Sequence, residues 1–321
     1  MFRQVRPSAA CARRLVPHDP LPHEMVERVL LSPDLSGVIF SQLCNTLDPG
    51  VAVAFSSASS ELWALTHAQR QQLKADYNAA ATLSLKLGMQ GCKELREATT
   101  VEMRPRTRLS DDDLATLGTL GSLLPALKKL VPHPLCLNER AAGHEDGVQR
   151  LAEKLGARAL PGLTSVSFNN MHVGDAGASA LAAALDRGVL PRLKHLYLSN
   201  AAIGDAGLVA LAPALRRLPA LGSLDLSGNR LLGDEGAAAL VAPPPLPADA
   251  PTTMIRALRK LRTVWLNNSQ ITDTGCAALA AALYSGALPA LKYLHLLGIS
   301  ASAASKARVI AVLLLRKQCD A

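Results

Sequence analysis

Aromatic residues are nearly missing from this chain. Four Phe, four Tyr and two Trp make up 3% of 321 positions, while the hydrophobic share reaches 49%. One large globular core usually draws on aromatic volume, so the scarcity points to a stack of small, similar layers built from Leu, Ala and Val. Clustered cysteines are missing too. The six, at 11, 44, 92, 136, 276 and 319, form no CxxC pair. That argues against a zinc module or a disulfide scaffold and suits a reducing interior, cytoplasmic or nuclear. No apolar run approaches the ~20 residues of a membrane helix, and "VIAVLLL" (309–315) reads as a capping helix. Neither a P-loop ending nor a G-x-G-x-x-G after a strand occurs. No Ser/His/Asp or Cys/His constellation comes together, and the histidines of "HDPLPHE" (18–24) lie in a proline-rich stretch unsuited to a metal. The sequence therefore reads as a non-enzyme with no cofactor and no metal.

Charge is present in moderation. The net +8 (34 Lys and Arg against 26 Asp and Glu) permits contact with acidic surfaces without demanding it. "RPRTR" (104–108) and "RALRKLR" (256–262) read as solvated rims or as contacts for nucleic acid, which is not the expected partner. The first 14 residues hold Arg3, Arg6, Arg13 and Arg14 and no acid. A basic disordered tail over 1–23 fits, with an organelle transit peptide as the alternative.

What the chain has in abundance is repetition. "IGDAGLVALAPAL" (203–215) is echoed by "VGDAGASALAAAL" (173–185), "LGDEGAAALV" (232–241) and "ITDTGCAALAAAL" (271–283). Before each comes a segment of the form L-x-x-L-x-L, with middle residues at Val166, Leu196, Leu224, Val264 and Leu294, so the spacings are 30, 28, 40 and 30. Two weaker copies precede these: Val101-Glu102-Met103 before "LSDDDLATLGTL", and Leu135-Cys136-Leu137 before "HEDGVQRLAEKL". The L-x-L core has the period of a strand. After the turn the leucines (208, 211, 215) shift to helical spacing. Asp205 falls where that helix begins, placed to accept its own N–H groups and face its dipole. Each unit is thus strand, turn, helix and return loop, and none buries its own leucines, so stacking must. Helices ~10 Å wide behind strands ~4.8 Å apart should bend the sheet into a horseshoe with the strands on its concave side.

These residues resemble the ribonuclease-inhibitor-like class of leucine-rich repeats, over roughly 95–300. The resemblance implies an α/β solenoid spanning 96–321 with a C-terminal cap helix. One departure concerns the Asn that this family places three residues after the last strand leucine. Only Asn229 stands there, with Met171, Ala201 and Ser269 elsewhere, while Asn170, Asn200 and Asn268 lie one residue earlier. Either the turn is remodelled or the Asn ladder is incomplete. Two interruptions remain. "APPPLPADAPTT" (242–253) should cut one helix short and form a loop on the helix side or rim, functional or merely tolerated. Pro213 should kink its helix or break it into turns.

Residues 24–95 lack the repeat. "SPDLSGVIFSQL" (32–43) is amphipathic at helical spacing, and "LDPGVAVAFSSASSELWAL" (47–65) supplies a second helical stretch. A proline-initiated helix, an "LDP" turn and small residues ending in Trp are similar to an F-box, whose motif docks onto a ubiquitin-ligase adaptor. The residues this resemblance singles out are Pro33, Leu35, Ile39, Leu47, Asp48 and Trp63. Phe55-Ser56-Ser57 departs from the family's Val-Cys before the Trp, and a plain helical cap on the first repeat fits the same stretch.

The candidate site follows from the strand period. With the leucines inward, the positions between them face the groove. One column reads Ser167, Tyr197, Asp225, Trp265, His295; its neighbour reads Ser165, His195, Ser223, Thr263, Tyr293. Tyr197 and His295 stand about 15 Å apart at three strand spacings. Aromatics beside polar groups form binding hot spots, although β-favouring residues also collect on strands for no further reason. The sequence thus reads as a non-catalytic scaffold holding a protein partner on His195, Tyr197, Asp225, Trp265, Tyr293 and His295. A substrate receptor of a ubiquitin ligase is the sharper form. The alternative is an activator of a small GTPase, since one activator of the Ran GTPase resembles this repeat type. An innate-immune sensor is disfavoured by the missing P-loop.

Overall fold

A computed structural model describes residues 31–102, 109–131, 146–242 and 258–319. The basic tail, the Leu135-Cys136-Leu137 segment, "RPRTR" and most of the 242–253 insertion lie outside the described residues. The chain packs into two compact units, one ending at Leu73 and the other comprising Lys74–Ala321 together with Asn45–Asp48.

In the first unit, α1 (Pro33–Leu43), α2 (Gly50–Ser56) and α3 (Ser60–Leu65) surround Phe40, Ala52 and Leu73. Proline opens α1, and the Ser59 hydroxyl caps α3 by accepting the Leu62 N–H at 3.1 Å. α4 (His67–Lys86) begins in this unit and ends in the second. Its Ala80 and Leu83, with Leu87 and the Cys92 and Leu95 side chains of α5 (Cys92–Glu97), belong to the repeat core. These helices thus bury apolar surface that the first coil would otherwise expose, and share its compact unit.

The second unit holds a seven-stranded parallel sheet in sequence order: β1 (Thr100–Glu102), β2 (Lys129–Val131), β3 (Ser165–Ser167), β4 (His195–Tyr197), β5 (Ser223–Asp225), β6 (Thr263–Trp265) and β7 (Tyr293–His295). Between them run α6 (Asp111–Thr119), α7 (Gly147–Lys154), α8 (Gly174–Asp186), α9 (Asp205–Arg216), α10 (Asp234–Val241) and α11 (Asp273–Tyr284), and α12 (Ala303–Cys319) follows the last strand. The middle strand residues Val101, Leu130, Val166, Leu196, Leu224 and Val264 are all at most 3% exposed, so one continuous apolar spine joins the coils.

The second strand corrects the reading at Leu135-Cys136-Leu137. Val101 pairs with Leu130, and Thr99 O accepts the N–H groups of Lys128 and Lys129 at 2.7 and 3.1 Å. The signal was the lead-in: "LPALKKL" (124–130) matches "LPGLTSV" (160–166), "LPRLKHL" (190–196), "LPALGSL" (218–224) and "LPALKYL" (288–294). Pro132 removes the final x-L of the pattern, and counting leucines alone therefore slid to 135–137.

The GDxG turn also differs from its expected role. Asp205 does not cap its own helix. Its carboxylate accepts Gly233 N–H at 2.7 Å and Gly236 N–H at 2.8 Å, at the start of the next coil's helix. Asp175 does the same for Gly204 and Gly207 at 2.7 and 3.0 Å. Asp234 accepts the Thr272 N–H at 2.7 Å, and Asp273 the Ser302 N–H at 2.6 Å. The Ser302 N–H is the main cause that holds the Asp273 carboxyl below its ordinary value. That stabilisation is present above the unfolded carboxyl's pKa and lost as pH falls through the lowered one. Each acid is thus a clasp from one coil to the next, and for Asp175, Asp205 and Asp234 a glycine of the next coil (Gly207, Gly236, Gly275) makes room for it. A Cβ at Gly207 would stand 2.4 Å from Asp175 Oδ1. Gly207→Ala is expected to destabilise the chain by about 2 kcal/mol. In an Asp175→Ala background the loss should be smaller, and a urea-denaturation double-mutant cycle measures the coupling. Additive losses would sink the clasp.

Pro213 lies inside α9, which runs through it without breaking into turns. It sits exposed in the last full turn, where its missing N–H forfeits one bond to a carbonyl on the solvent side. α10 ends at Val241 after eight residues, against twelve in α9 and α11, where the proline-rich insertion begins. No helix among the described residues is long and apolar enough to cross a membrane.

Candidate functional site

The register aligns both candidate columns. Ser167 pairs with Tyr197, Tyr197 with Asp225, Asp225 with Trp265, and Trp265 with His295. Beside them Ser165, His195, Ser223, Thr263 and Tyr293 pair in the same order. Parallel pairing without slip follows from the leucine spine, since a one-residue shift would turn every buried side chain to solvent. Tyr293 and His295 are exposed and His195, Tyr197, Asp225 and Trp265 half-buried, whereas Ser167 is buried at 9%. The column therefore starts in effect at Tyr197.

The rings are ordered among themselves. Trp265 and His295, on neighbouring strands, stack with centroids 5.5 Å apart and planes 7° from parallel. His195 and Tyr197, two residues apart on one strand, lie 6.2 Å apart at 4°. Stacking of this kind restrains the side chains of both pairs. Asp225 stands between them on β5, and its carboxylate accepts the Ser227 N–H at 2.9 Å.

His195 carries a buried Nδ1 with no hydrogen-bond partner among the described residues. Burial, then the charges of Lys194 and Lys129, push its pKa below the ordinary histidine value. The ring is therefore neutral at physiological pH. A buried polar atom without a partner costs free energy.

The adaptor candidates divide between the units. Pro33 opens α1, Leu35 is 43% exposed, Ile39 is half-buried, and Trp63 is 46% exposed beneath the Arg70 guanidinium, 3.2 Å from its ring centroid. Leu47 is 5% exposed and belongs to the repeat core. Asp48 lies in that unit too, exposed and paired with Arg96 at 3.5 Å. The "LDP" turn places an apolar side chain where the nearest core takes it, and sequence similarity alone does not register which core that is.

The Asn question resolves into two positions with separate roles. Asn170, Asn200 and Asn268 take the left-handed conformation at φ 58°, 52° and 54°, and Gly228 and Gly298 fill the same turn position at 76° and 69°. Short polar residues and glycine tolerate that region best. Asn229, fully buried, bridges the coils through the interior, while the Asn200 Nδ2 donates to the Asn170 Oδ1 at 2.8 Å on the outside. The Asn229 Oδ1 accepts Ala201 and Ile203 N–H at 3.0 Å each, and its Nδ2 donates to Leu198 and Leu226 carbonyls at 2.8 Å each.

A stack of parallel strand–turn–helix coils, tied by Asp clasps over a leucine spine and presenting polar and aromatic side chains on the strands, defines a repeat solenoid. Residues 190–212, 221–241 and 257–280 match the family model of the leucine-rich repeat, so the chain carries leucine-rich repeats across these coils. No curated protein is significantly similar to it.

Proposed function

We propose that the chain is a non-catalytic scaffold that holds a protein partner on the concave strand face of a ribonuclease-inhibitor-like horseshoe. Leucine-rich repeats generally mediate protein–protein interaction. The observation that carries the reading is the aligned pair of stacked rings, His195 with Tyr197 and Trp265 with His295, flanking Asp225 across β4 to β7. Tyr293 extends the patch at its exposed end. Aromatics held in place beside polar atoms are what a hot spot requires.

The test begins with affinity capture by the full chain and identification of the captured protein. Trp265→Ala with Tyr197→Ala should weaken that partner at least about 100-fold. Its melting temperature should stay within a few degrees, since neither side chain belongs to the leucine spine. Undiminished capture by the folded double variant removes the patch from the interface.

A second reading, a ubiquitin-ligase substrate receptor, is supported by exposed apolar side chains in the small unit: Leu35, Val38, Val51 and Trp63, between 43% and 59% exposed. The adaptor would be met by Leu35, Ile39 and Trp63, with Pro33 setting the start of the helix. Leu35→Asp in the full chain should then abolish retention of the ligase adaptor while leaving the strand-face partner bound.

A further inference from the structure

The lead-in to each strand carries a charge pattern that the binding face does not use. Segments 124–130, 158–166, 187–196, 216–224, 258–264 and 286–294 contain no Asp or Glu and include Lys128, Lys194, Arg262 and Lys292 at one position of the repeat. The backbone makes that position a physical row. Lys128 N–H donates to Thr99 O, Thr164 to Lys128, Lys194 to Thr164, Gly222 to Lys194, Arg262 to Gly222 and Lys292 to Arg262, all between 2.7 and 2.9 Å. Lys128, Lys194, Arg262 and Lys292 are exposed, and so are Arg192 and Lys260 beside them.

Carboxylates cluster at the opposite ends of the strands. Asp175, Asp205, Asp234 and Asp273 sit in the turns that follow, and each is engaged by backbone N–H groups of the next coil. The fold has therefore sorted its charge. The acids of the turns are consumed by clasps, and at the other edge, where Asp186 is paired with Arg217, the cations of the row face water on the coils of β2, β4, β6 and β7. The field of that edge is already felt within the protein, since Lys194 and Lys129 both disfavour a proton on His195.

We propose that this edge of the sheet, carried by Lys128, Lys194, Arg262 and Lys292, binds an acidic polypeptide segment laid along the strand N-termini beside the aromatic patch. It rests on the reading of the strand face as a protein-binding surface and names the charge of what is bound there. Cations hold this position in the coils of β2, β4, β6 and β7, about 9.6 Å apart across alternate strands and about 4.8 Å between the last two, while same-face side chains of an extended chain recur at ~6.6 Å, so the long Lys and Arg stems reach along the edge to meet its carboxylates. Electrostatic complementarity of this kind steers encounter and fixes register. Nucleic acid fits less well, because base binding uses open aromatic faces and these rings are already stacked on one another.

Fluorescence anisotropy of a labelled 15-residue oligoglutamate with the full chain, from low salt to physiological salt, tests the proposal. Lys194→Glu, Arg262→Glu and Lys292→Glu together should weaken binding at least about tenfold, and salt should weaken the wild type. Lys74→Glu, Lys93→Glu and Lys154→Glu, an equal charge change away from the row, should cost less than about threefold. Circular dichroism checks that both variants fold, and the Gln versions of the row serve if reversal disturbs it. Equal losses in both variants, or no binding by the wild type at low salt, overturn the proposal. Tighter binding of a 15-nucleotide oligo-dT, lost with the row, also overturns it in favour of nucleic acid. The Trp265→Ala/Tyr197→Ala variant should retain oligoglutamate, so failure of the row and failure of the patch are read separately.

Discussion

Replacing Asn229 by alanine is expected to cost about 3–5 kcal/mol of stability, the largest loss of any single polar substitution considered. The side chain is fully buried and makes four hydrogen bonds, two accepted and two donated, between the coil of β4 and the coil of β5. Alanine leaves two N–H groups and two carbonyls without that partner in an apolar interior, and each pays its desolvation without return. Asn229→Asp should be nearly as harmful, because a carboxylate oxygen replaces the Nδ2 donor opposite the Leu198 and Leu226 carbonyls. Urea unfolding followed by circular dichroism measures the effect. A lower m-value would show the stack melting in parts, as nearest-neighbour repeats do when one interface weakens. A loss under about 1 kcal/mol would mean that the bridge is replaceable.

Asp205→Ala should cost about 2 kcal/mol. Its carboxylate caps α10 from the coil before, through Gly233 and Gly236, and α10 has only eight residues with a proline-rich segment beyond it. A helix that short depends on its ends. Asp205→Asn, which keeps the accepting Oδ1 but loses the charge at the helix N-terminus, should recover about half of that. Hydrogen exchange at Gly233 and Gly236 locates the effect. Unchanged protection there in the alanine variant would show that the two amides do not need the clasp.

The strand and helix of most coils are legible in the sequence because their signals are local. Alternating leucines around Leu196 or Leu224 and a three-four spacing after Gly204 need nothing from the rest of the chain. The candidate columns are equally legible. Once the strands are parallel and in step, Tyr197, Asp225, Trp265 and His295 must line up. The misplaced second strand marks the limit of that signal. Pro132 truncates the pattern, and the Leu-Pro-x-Leu lead-in that identifies Lys129–Val131 becomes informative only when pairing to Thr100–Glu102 shows where the strand begins.

What could not be read locally is which coil each polar side chain serves. Asp205 stands at the start of a helix, yet it caps the next one, and Leu47 follows closely on α1, yet it packs into the repeat core. The stacking of Trp265 on His295 joins residues 30 positions apart, and the cationic row joins lead-ins separated by whole repeats. By itself the sequence determined the repeat, its strand and helix, and the residues left over to face outward, since periodicity is a property of neighbours in the chain. Only the tertiary structure decided the partners of those polar groups, because a carboxylate or an amide takes the donor nearest in space, and stacking puts that donor one coil away.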